Sequence, residues 1–514
     1  MLSIRNVFVN SIGTLFSRIL GLFKNIIINF YFGLVDTFWG AFQIINTFRI
    51  FVGEGAINNV LIPNYKKVKE EKPEYLKFFV LKSFLFVSLI SVILILILVS
   101  SSYYISKIAL LGFSEDKIIE SSWHINIMSS VVILISLQSF IATIQIAKRD
   151  NFIGFAYSPV VANIITILTI ALFHNTGVFI ISWSVVAGAV GMLIFQTILS
   201  LRDIGSVKIH LSLREIVRID EYTKKFVLGF FSVIGLSLIT QLNGIVSRFF
   251  GSFFEGVVAA STNAYIIIQV PIGIFSVAVS VVGLNALASY FSKKDTEGFL
   301  KLSSESIRLI NFVIIPITIF SFIFSDEIIR LAYRDIPGII LGSEGKYNEQ
   351  ALKLTQDMFK SYSLSIYFLS ISLLLVRISF SRGDTRTPVL SSIVGLIVNI
   401  LANVFIFLIF RSPLGIPLSF LISSAVLAIY LTVVEYKNIG YKKVVLYEAI
   451  KLLIPSLVLS LTIKHILNTF DVDSYILSFT ITSVSIIVFV LLFLLTSYAI
   501  RIETFTNMIK KVVR

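Results

Sequence analysis

The run FLFVSLISVILILILVSS, from Phe84 to Ser101, contains 18 residues and no charged side chain. A second run of the same character, ILSFTITSVSIIVFVLLFLL, extends from Ile476 to Leu495. An apolar stretch of about 18 residues or more is long enough to cross a bilayer as a helix. The 514-residue chain is 56% hydrophobic and 14% charged, whereas soluble domains have about 25% charged residues. The sequence therefore predicts a polytopic membrane protein.

Apolar runs of similar length recur along the whole chain, separated by Gly, Pro and charged clusters. They predict about fourteen transmembrane helices, which begin near residues 7, 36, 78, 121, 154, 178, 226, 256, 302, 358, 387, 414, 445 and 474. Barrel strands are about 10 residues long and alternate between apolar and polar residues, which these runs do not. We predict an all-α fold.

Lysine and arginine are distributed unequally between the predicted loops. With the N-terminus placed in the cytoplasm, the inner loops and tails hold 27 of the 43 basic residues and the outer loops hold 9. Cytoplasmic loops of membrane proteins carry this kind of excess, so both termini are predicted to be cytoplasmic. Topology also accounts for the net charge of +14. We therefore expect no nucleic-acid partner.

Three short motifs recur at nearly one spacing, which indicates a duplicated half. The pairs are Ser17–Gly21 with Ser247–Gly251, Lys66–Lys67 with Lys293–Lys294, and Ser158–Val160 with Thr387–Val389, at offsets of 230, 227 and 229 residues. Because six is even, two six-helix lobes insert in the same orientation as a parallel pseudo-repeat, with a cleft between them. The predicted regions are a first lobe at 1–201, an amphipathic cytoplasmic linker at 202–225, a second lobe at 226–437, and two further helices with a basic cytoplasmic tail at 438–514.

Arg18, Lys24 and Arg49 are predicted to lie inside the hydrocarbon layer, and Glu54 is the only embedded acid nearby. Each charge at the bilayer centre costs roughly 2.5 to 3.5 kcal/mol on insertion scales. A water-filled cavity that receives an anion would offset this cost. The alternatives are that Lys24 snorkels to an interface and that Arg18 bonds backbone carbonyls near Gly21. Arg18 and Lys24 lie about 120° apart on an ideal helix, so both face one cavity only if the helix bends.

Other polar residues give weaker signals. Arg248 lies near the end of its predicted helix, where an interfacial role and a cavity role are both open. Arg308 and Arg377 are expected to be interfacial. The chain has no Cys, and its four His residues are scattered. These features predict no metal site, no cofactor and no covalent catalysis, so we do not expect an enzyme.

Several groups of residues carry a resemblance to a known family. In the first two predicted helices they are Ser17-Arg18-Ile19-Leu20-Gly21, Phe32-Gly33, Asp36, Phe42, Arg49, Phe51, Glu54-Gly55-Ala56, Pro63 and Tyr65-Lys66. In the second half they are Gln241-Leu242-Asn243, Pro271, Gly273 and Asp384-Thr385-Arg386-Thr387-Pro388. This pattern resembles the MurJ (MviN) lipid II flippases, which belong to the MATE-related MOP flippase superfamily.

The resemblance implies a flippase that moves lipid II, the undecaprenyl-pyrophosphate-linked disaccharide-pentapeptide, from the inner to the outer leaflet of the cytoplasmic membrane by alternating access. It implies pyrophosphate contacts for Arg18, Lys24 and Arg49, and gating or charge-balancing roles for Asp36 and Glu54. It also implies that the two C-terminal helices hold the polyprenyl tail. Lipid II, membrane lipid and the cell-wall synthesis machinery are the expected partners.

The sequence departs from the family pattern at several positions. Lys24 stands where the family usually has Arg, which keeps the charge but loses the bidentate fork. Ile266 replaces a basic residue and Gln269 an acid one turn later, so Arg248 and Gln269 are the expected contacts from the second lobe. A sodium site of some members corresponds here to a polar set without carboxylates, made of Ser247, Asn399 and Asn403. The membrane potential is then the simpler driver, at about 2.3 kcal/mol per charge per 100 mV.

The sequence is also compatible with other functions. A flippase for another polyprenyl-pyrophosphate-linked sugar would use the same pyrophosphate contacts. A MATE-like drug or cation antiporter would need embedded acids, and the single Glu54 among three cations argues against it. A membrane scaffold without transport would gain nothing from the cost of embedded cations.

Overall fold

The chain folds into two compact helical units. The computed structural model describes residues 4–53, 56–204, 220–343, 345–439, 444–470 and 474–506, and every regular element in these ranges is helical. The predicted all-α membrane fold class is confirmed. The first unit comprises Met1–Ile28 and Val35–Glu255, and the second comprises Asn29–Leu34 and Gly256–Arg514.

Nine α-helices of the described residues lie in the first unit. They are α1 (Ile4–Phe32), whose last turn belongs to the second unit, α2 (Asp36–Val52), α3 (Ala56–Glu71), α4 (Leu76–Ala109), α5 (Glu115–Met128), α6 (Ser130–Arg149), α7 (Ile153–Phe173), α8 (Ile180–Ile204) and α9 (Glu221–Gly251). The described loops between these helices are short, because consecutive helices in a bilayer need only a turn between them.

The second unit is also built of α-helices, and two π-helical segments connect some of them. Its helices are α10 (Val257–Pro271), α11 (Val277–Ser292), α12 (Thr296–Ile323), α13 (Ser325–Arg330), α14 (Ile336–Leu341), α15 (Glu349–Ser381), α16 (Arg386–Phe410), α17 (Gly415–Ile439), α18 (Val444–Leu467) and α19 (Tyr475–Ala499). A π-helical segment, Ile272–Ser276, joins α10 to α11 directly after Pro271, which has no N–H to donate. A second π segment, Leu331–Asp335, joins α13 to α14.

Twelve helical stretches among the described residues are long and apolar enough to cross a membrane. The predicted count of fourteen is not confirmed. One reason is that the predicted second span is interrupted: α2 has 17 residues and ends at Val52, and α3 begins at Ala56. Ser139 of α6 donates a hydrogen bond of 3.1 Å to the Gly53 carbonyl at this break. The carbonyl is thereby satisfied without water, as membrane interiors require.

The helix α9 packs within the first unit, although it is the first helix of the predicted second lobe. Its Phe230 ring contacts the Phe86 ring of α4 edge to face, with centroids 5.5 Å apart. A Cβ on Gly244 would lie 2.6 Å from Gln43 Nε2 of α2, so these two helices approach closely. The compact units follow packing, whereas the predicted lobes follow the sequence repeat, and the lobe boundaries stay a prediction.

The predicted linker is described only from Asp220 onward, and its residues 205–219 lie outside the described residues. The Asp220 carboxylate caps α9 by accepting hydrogen bonds of 3.0 Å from the backbone N–H groups of Tyr222 and Thr223. It also accepts hydrogen bonds from Tyr75, the residue before α4, and from Lys82 of α4. Burial acts to raise the pKa of Asp220, but these hydrogen bonds outweigh it and hold that pKa well below its usual range.

Candidate functional site

Two of the predicted cations come together where α1 meets α2. The Lys24 ammonium and the Arg49 guanidinium lie close enough for their charges to repel, and both side chains are partly buried. Lys24 Nζ also lies 5.8 Å from the centre of the Phe42 ring, which is within the range of a cation–π contact. The aromatic face replaces part of the hydration that the ammonium loses. This pair is a concentration of positive charge inside a predicted membrane span.

Arg18 lies in α1, six residues before Lys24, and is also partly buried. Asn163 of α7 donates a hydrogen bond of 3.0 Å to the Ser17 carbonyl, which holds α1 against α7 at this level. The helix continues through Gly21. The structure therefore places Arg18 in the same unit as Lys24 and Arg49.

Arg248 belongs to the first unit as well. It lies in the last turn of α9, and its Nη1 donates a hydrogen bond of 3.4 Å to the Gly244 carbonyl. Gly244 is the residue at which α9 packs against Gln43 of α2. Arg248 is thus one turn beyond the contact between its own helix and the helix that carries Arg49. All four predicted cations are carried by one unit.

Of the two predicted acidic residues, the structure describes only Asp36. Asp36 is buried at the first turn of α2, and Glu54 lies outside the described residues. Next to Asp36, Thr37 donates a hydrogen bond of 2.8 Å to Glu120 Oε1, and His124 Nε2 lies 3.7 Å from the same oxygen. Glu120 and His124 were not among the predicted site residues. Their signal was available, because residues four apart share one face of a helix.

The remaining predicted residues lie in different units. Gln269 is partly buried in α10 of the second unit. Asn399 and Asn403 are buried in α16, where the Asn403 amide donates to the Asn399 side-chain oxygen. Ser247 is buried in α9 of the first unit and donates to a carbonyl of its own helix. Within the described ranges no three His, Cys, Asp or Glu side chains form a group that could hold a metal ion.

A buried group in the second unit, here called the amide–tyrosine network, consists of Asn29, Asn263, Tyr333, Tyr347 and Thr355. Asn29 and Asn263 exchange two side-chain hydrogen bonds, of 3.1 and 2.9 Å. The Tyr333 hydroxyl donates to the Asn263 carbonyl at 3.2 Å, and Tyr347 accepts from the Asn263 amide at 3.3 Å and pairs with Thr355. The last turn of α1 is thereby fastened to α10.

Two glycines complete this fastening. The Lys346 N–H donates a hydrogen bond of 2.8 Å to the Phe30 carbonyl. Gly345 has φ +64°, and a Cβ there would lie 2.4 Å from the same carbonyl, so only glycine allows the approach. Gly33 has φ +71° and packs against the Lys346 carbonyl. These contacts explain why Asn29–Leu34 belongs to the second unit.

The helices α18 and α19 expose many large apolar side chains. On α18 these are Ile454, Leu457, Val458 and Leu461, and on α19 they are Val484, Ile487, Leu491 and Leu495. A surface of this composition is solvated by hydrocarbon chains. It has the chemistry that a polyprenyl tail requires.

Comparison with known proteins gives one family. The family model described as lipid II flippase MurJ matches residues 28–485. The probable lipid II flippase MurJ of Aquifex aeolicus is 27% identical over 433 residues, covering 82% of this chain and 81% of that protein. The corresponding protein of Borreliella burgdorferi is 25% identical over 405 residues, covering 77% of this chain and 76% of that protein.

Solved structures show the same fold. A lipid II flippase MurJ in an inward closed conformation has a TM-score of 0.78 at 22% identity, covering 96% of this chain and 99% of that one. An inward-facing multidrug resistance MATE family transporter of the MOP superfamily has a TM-score of 0.65 at 14% identity, covering 83% and 94%. With a family model matched over most of its length, this multi-pass membrane protein belongs to the lipid II flippase MurJ family.

Proposed function

We propose that this protein moves lipid II from the inner to the outer leaflet of the cytoplasmic membrane by alternating access, with the pyrophosphate held by Arg18, Lys24 and Arg49. The observation that carries the proposal is that Lys24 and Arg49, both partly buried, lie on α1 and α2 where these helices are in contact through Lys24 and the Phe42 ring. Two like charges kept together in a medium of low dielectric constant are costly, and a bound dianionic group removes that cost. Family membership supports lipid II as the substrate.

Further residues have supporting roles in this proposal. Asp36 and Glu54 balance the positive charge when the substrate is absent, and Arg248 and Gln269 provide additional contacts. The apolar faces of α18 and α19 hold the polyprenyl tail, which spares the tail any exposure to water. No covalent step is needed, so the protein acts as a transporter rather than an enzyme, with both termini in the cytoplasm and the membrane potential as the driver. The cell-wall synthesis machinery is its expected partner.

Depletion of the protein in its own cells tests the proposal. An outer-face lipid II probe should report a loss of signal, which the unaltered protein and the exposed-site control Lys69→Ala restore, and Arg49→Ala and Lys24→Ala do not. Lys69 is a suitable control because it is a basic, exposed residue of α3. An unchanged outer-face signal in depleted cells with no second flippase would remove the lipid II assignment.

Reconstitution in vesicles distinguishes lipid II from other polyprenyl-pyrophosphate-linked sugars as the substrate. Vesicles containing the purified protein are supplied with lipid II or with an undecaprenyl-pyrophosphate-linked sugar lacking the peptide, and the outer-leaflet fraction is measured. Faster movement of lipid II supports the proposal. Equal or faster movement of the other lipid assigns the protein to a different lipid-linked glycan.

A further inference from the structure

The chain turns back on itself after the last transmembrane helix. Arg501 has φ +52°, and the Ile502 N–H donates a hydrogen bond of 3.0 Å to the Ser497 carbonyl, which ends the helix and redirects the chain. Residues 503–506 then form one helical turn. We call residues 500–506 the return segment. It runs back toward the bundle instead of away from it, which requires favourable contacts on the bundle side.

Those contacts are partly apolar. Ile502 is only 1% exposed and belongs to a cluster with Phe312 and Ile315 of α12, Leu452 of α18 and Phe493 of α19. The Phe505 ring stacks on the Phe312 ring, with centroids 5.5 Å apart and an interplanar angle of 17°. The return segment therefore contributes two apolar side chains to a cluster shared with the middle of α12, the N-terminal half of α18 and the C-terminal part of α19.

The contacts are also ionic. Arg308 of α12 lies 2.9 Å from Glu503 of the return segment and 3.5 Å from Glu448 of α18. Thr504 donates a hydrogen bond of 3.3 Å to the same Glu448 oxygen. Arg308, predicted to be interfacial, bridges these two acids with a side chain that is only 17% exposed. Glu448 is shared, so Arg308 keeps one partner if the return segment leaves.

The opposite ends of these helices are held differently. There Lys464 of α18 pairs with Glu327, and Ser478 of α19 donates to the buried Asp335. Between the two ends, one turn before Phe493, Phe489 belongs to a second cluster that contains Phe320 of α12. All these residues lie in or between transmembrane helices, so their contacts cannot separate without moving a helix. The return segment lies outside the last membrane-spanning helix, so its contacts can separate without moving one.

We propose that the return segment is a latch: when docked, it holds α18 and α19 against α12 at their predicted inner ends, and when released, it lets this helix pair move aside to admit the polyprenyl chain. Arg308 is the positioning residue of the latch. The role of the latch in transport rests on the proposed function, because that function assigns the tail to α18 and α19. The helix movement itself is independent of the substrate.

Distance measurements test the helix movement. The natural chain has no Cys, so Lys301→Cys on α12 and Tyr498→Cys on α19, both exposed, accept spin labels selectively. With the natural return segment we expect one short, narrow distance distribution. Ile502→Glu and Glu503→Gln should each add a longer component, because one places a charge in the apolar cluster and the other breaks the ion pair with Arg308.

Matched controls separate release from general damage. Ile500→Glu introduces the same charge at an exposed residue of the same segment, and Glu297→Gln removes an exposed acid at the start of α12. Both should give the unaltered distribution. If Ile502→Glu and Glu503→Gln also give the unaltered distribution, the latch does not exist.

Cross-linking tests whether release is needed for transport. Phe312→Cys and Phe505→Cys introduce a pair that a short, reducible bifunctional thiol reagent can join, and each single variant treated alike is a control. We expect cross-linking to slow lipid II movement in vesicles about tenfold, with recovery after reduction, as for a gating step. Unchanged transport by the cross-linked protein overturns the latch and leaves the proposed function intact. If uncross-linked protein moves no lipid II, the proposed function fails, and the distance measurement alone decides the latch.

Discussion

The cation pair of the first unit and the amide–tyrosine network of the second use buried polar groups in opposite ways. Lys24 and Arg49 carry like charges that repel, whereas Asn29 and Asn263 are neutral and satisfy each other with two hydrogen bonds. Repelling charges are stabilised by an added anion, while a satisfied network gains nothing from a ligand and loses stability when one member is removed. On the proposed function, the cation pair binds the substrate, whereas the network holds the fold.

The largest effect is expected at the cation pair. Arg49→Ala should reduce lipid II movement in vesicles about a hundredfold, which corresponds to about 2.7 kcal/mol. Its thermal unfolding temperature should change little, because relief of the repulsion with Lys24 offsets the loss of the other interactions of Arg49. A fall in unfolding temperature that parallels the loss of transport would show that Arg49 holds the fold, and the contrast between the two regions would disappear.

Substitutions in the amide–tyrosine network should lower the stability of the fold. Asn263→Leu leaves the Asn29 amide buried without its partner and should lower the free energy of unfolding by about 2 kcal/mol. The double variant Asn29→Leu with Asn263→Leu should lose less than the sum of the two single variants, since replacing both partners by apolar groups leaves no orphaned amide. Thermal unfolding in detergent of the four proteins measures this. Additive losses would mean that the two amides are not coupled.

A smaller effect is expected at Phe42. Phe42→Leu removes the ring face near Lys24 Nζ and, with a cation–π contact contributing about 0.5 to 1 kcal/mol, should weaken lipid II binding roughly two- to fivefold. Phe42→Tyr keeps the ring and serves as the control. Affinity for lipid II in detergent gives the comparison, and equal affinities for the two variants would exclude a role for the ring face.

The smallest effect concerns Asp220, which lies outside both regions. Asp220→Asn keeps the helix cap but removes the charge that pairs with Lys82 at 3.1 Å, and should cost less than about 1 kcal/mol at neutral pH, since the pair is partly exposed. Because the folded pKa of Asp220 is depressed, the stability it adds is present above its usual value of about 3.9 and is lost as pH falls further. The difference in unfolding temperature between the two proteins should therefore shrink below about pH 4. A difference that is constant down to pH 3 would contradict this origin.

Part of the candidate site was accessible from the sequence. Charged residues inside apolar runs are rare and costly, so Arg18, Lys24 and Arg49 could be singled out without any structure. The pairing of Lys24 with Arg49 could not, because it depends on how two helices turn and pack. The network around Asn263 was missed for a related reason: isolated Asn and Tyr residues in an apolar run give no signal until their partners are known.

The sequence by itself determined the membrane class, the all-α fold and the family, because hydropathy and motifs are properties of short stretches of chain. Only the tertiary structure decided that α9 packs within the first unit, that the last turn of α1 belongs to the second, and that Arg308 bridges Glu448 and Glu503. Such contacts join residues far apart in the chain. They are selected by the fit of helix surfaces, such as the close approach at Gly345, which no local pattern encodes.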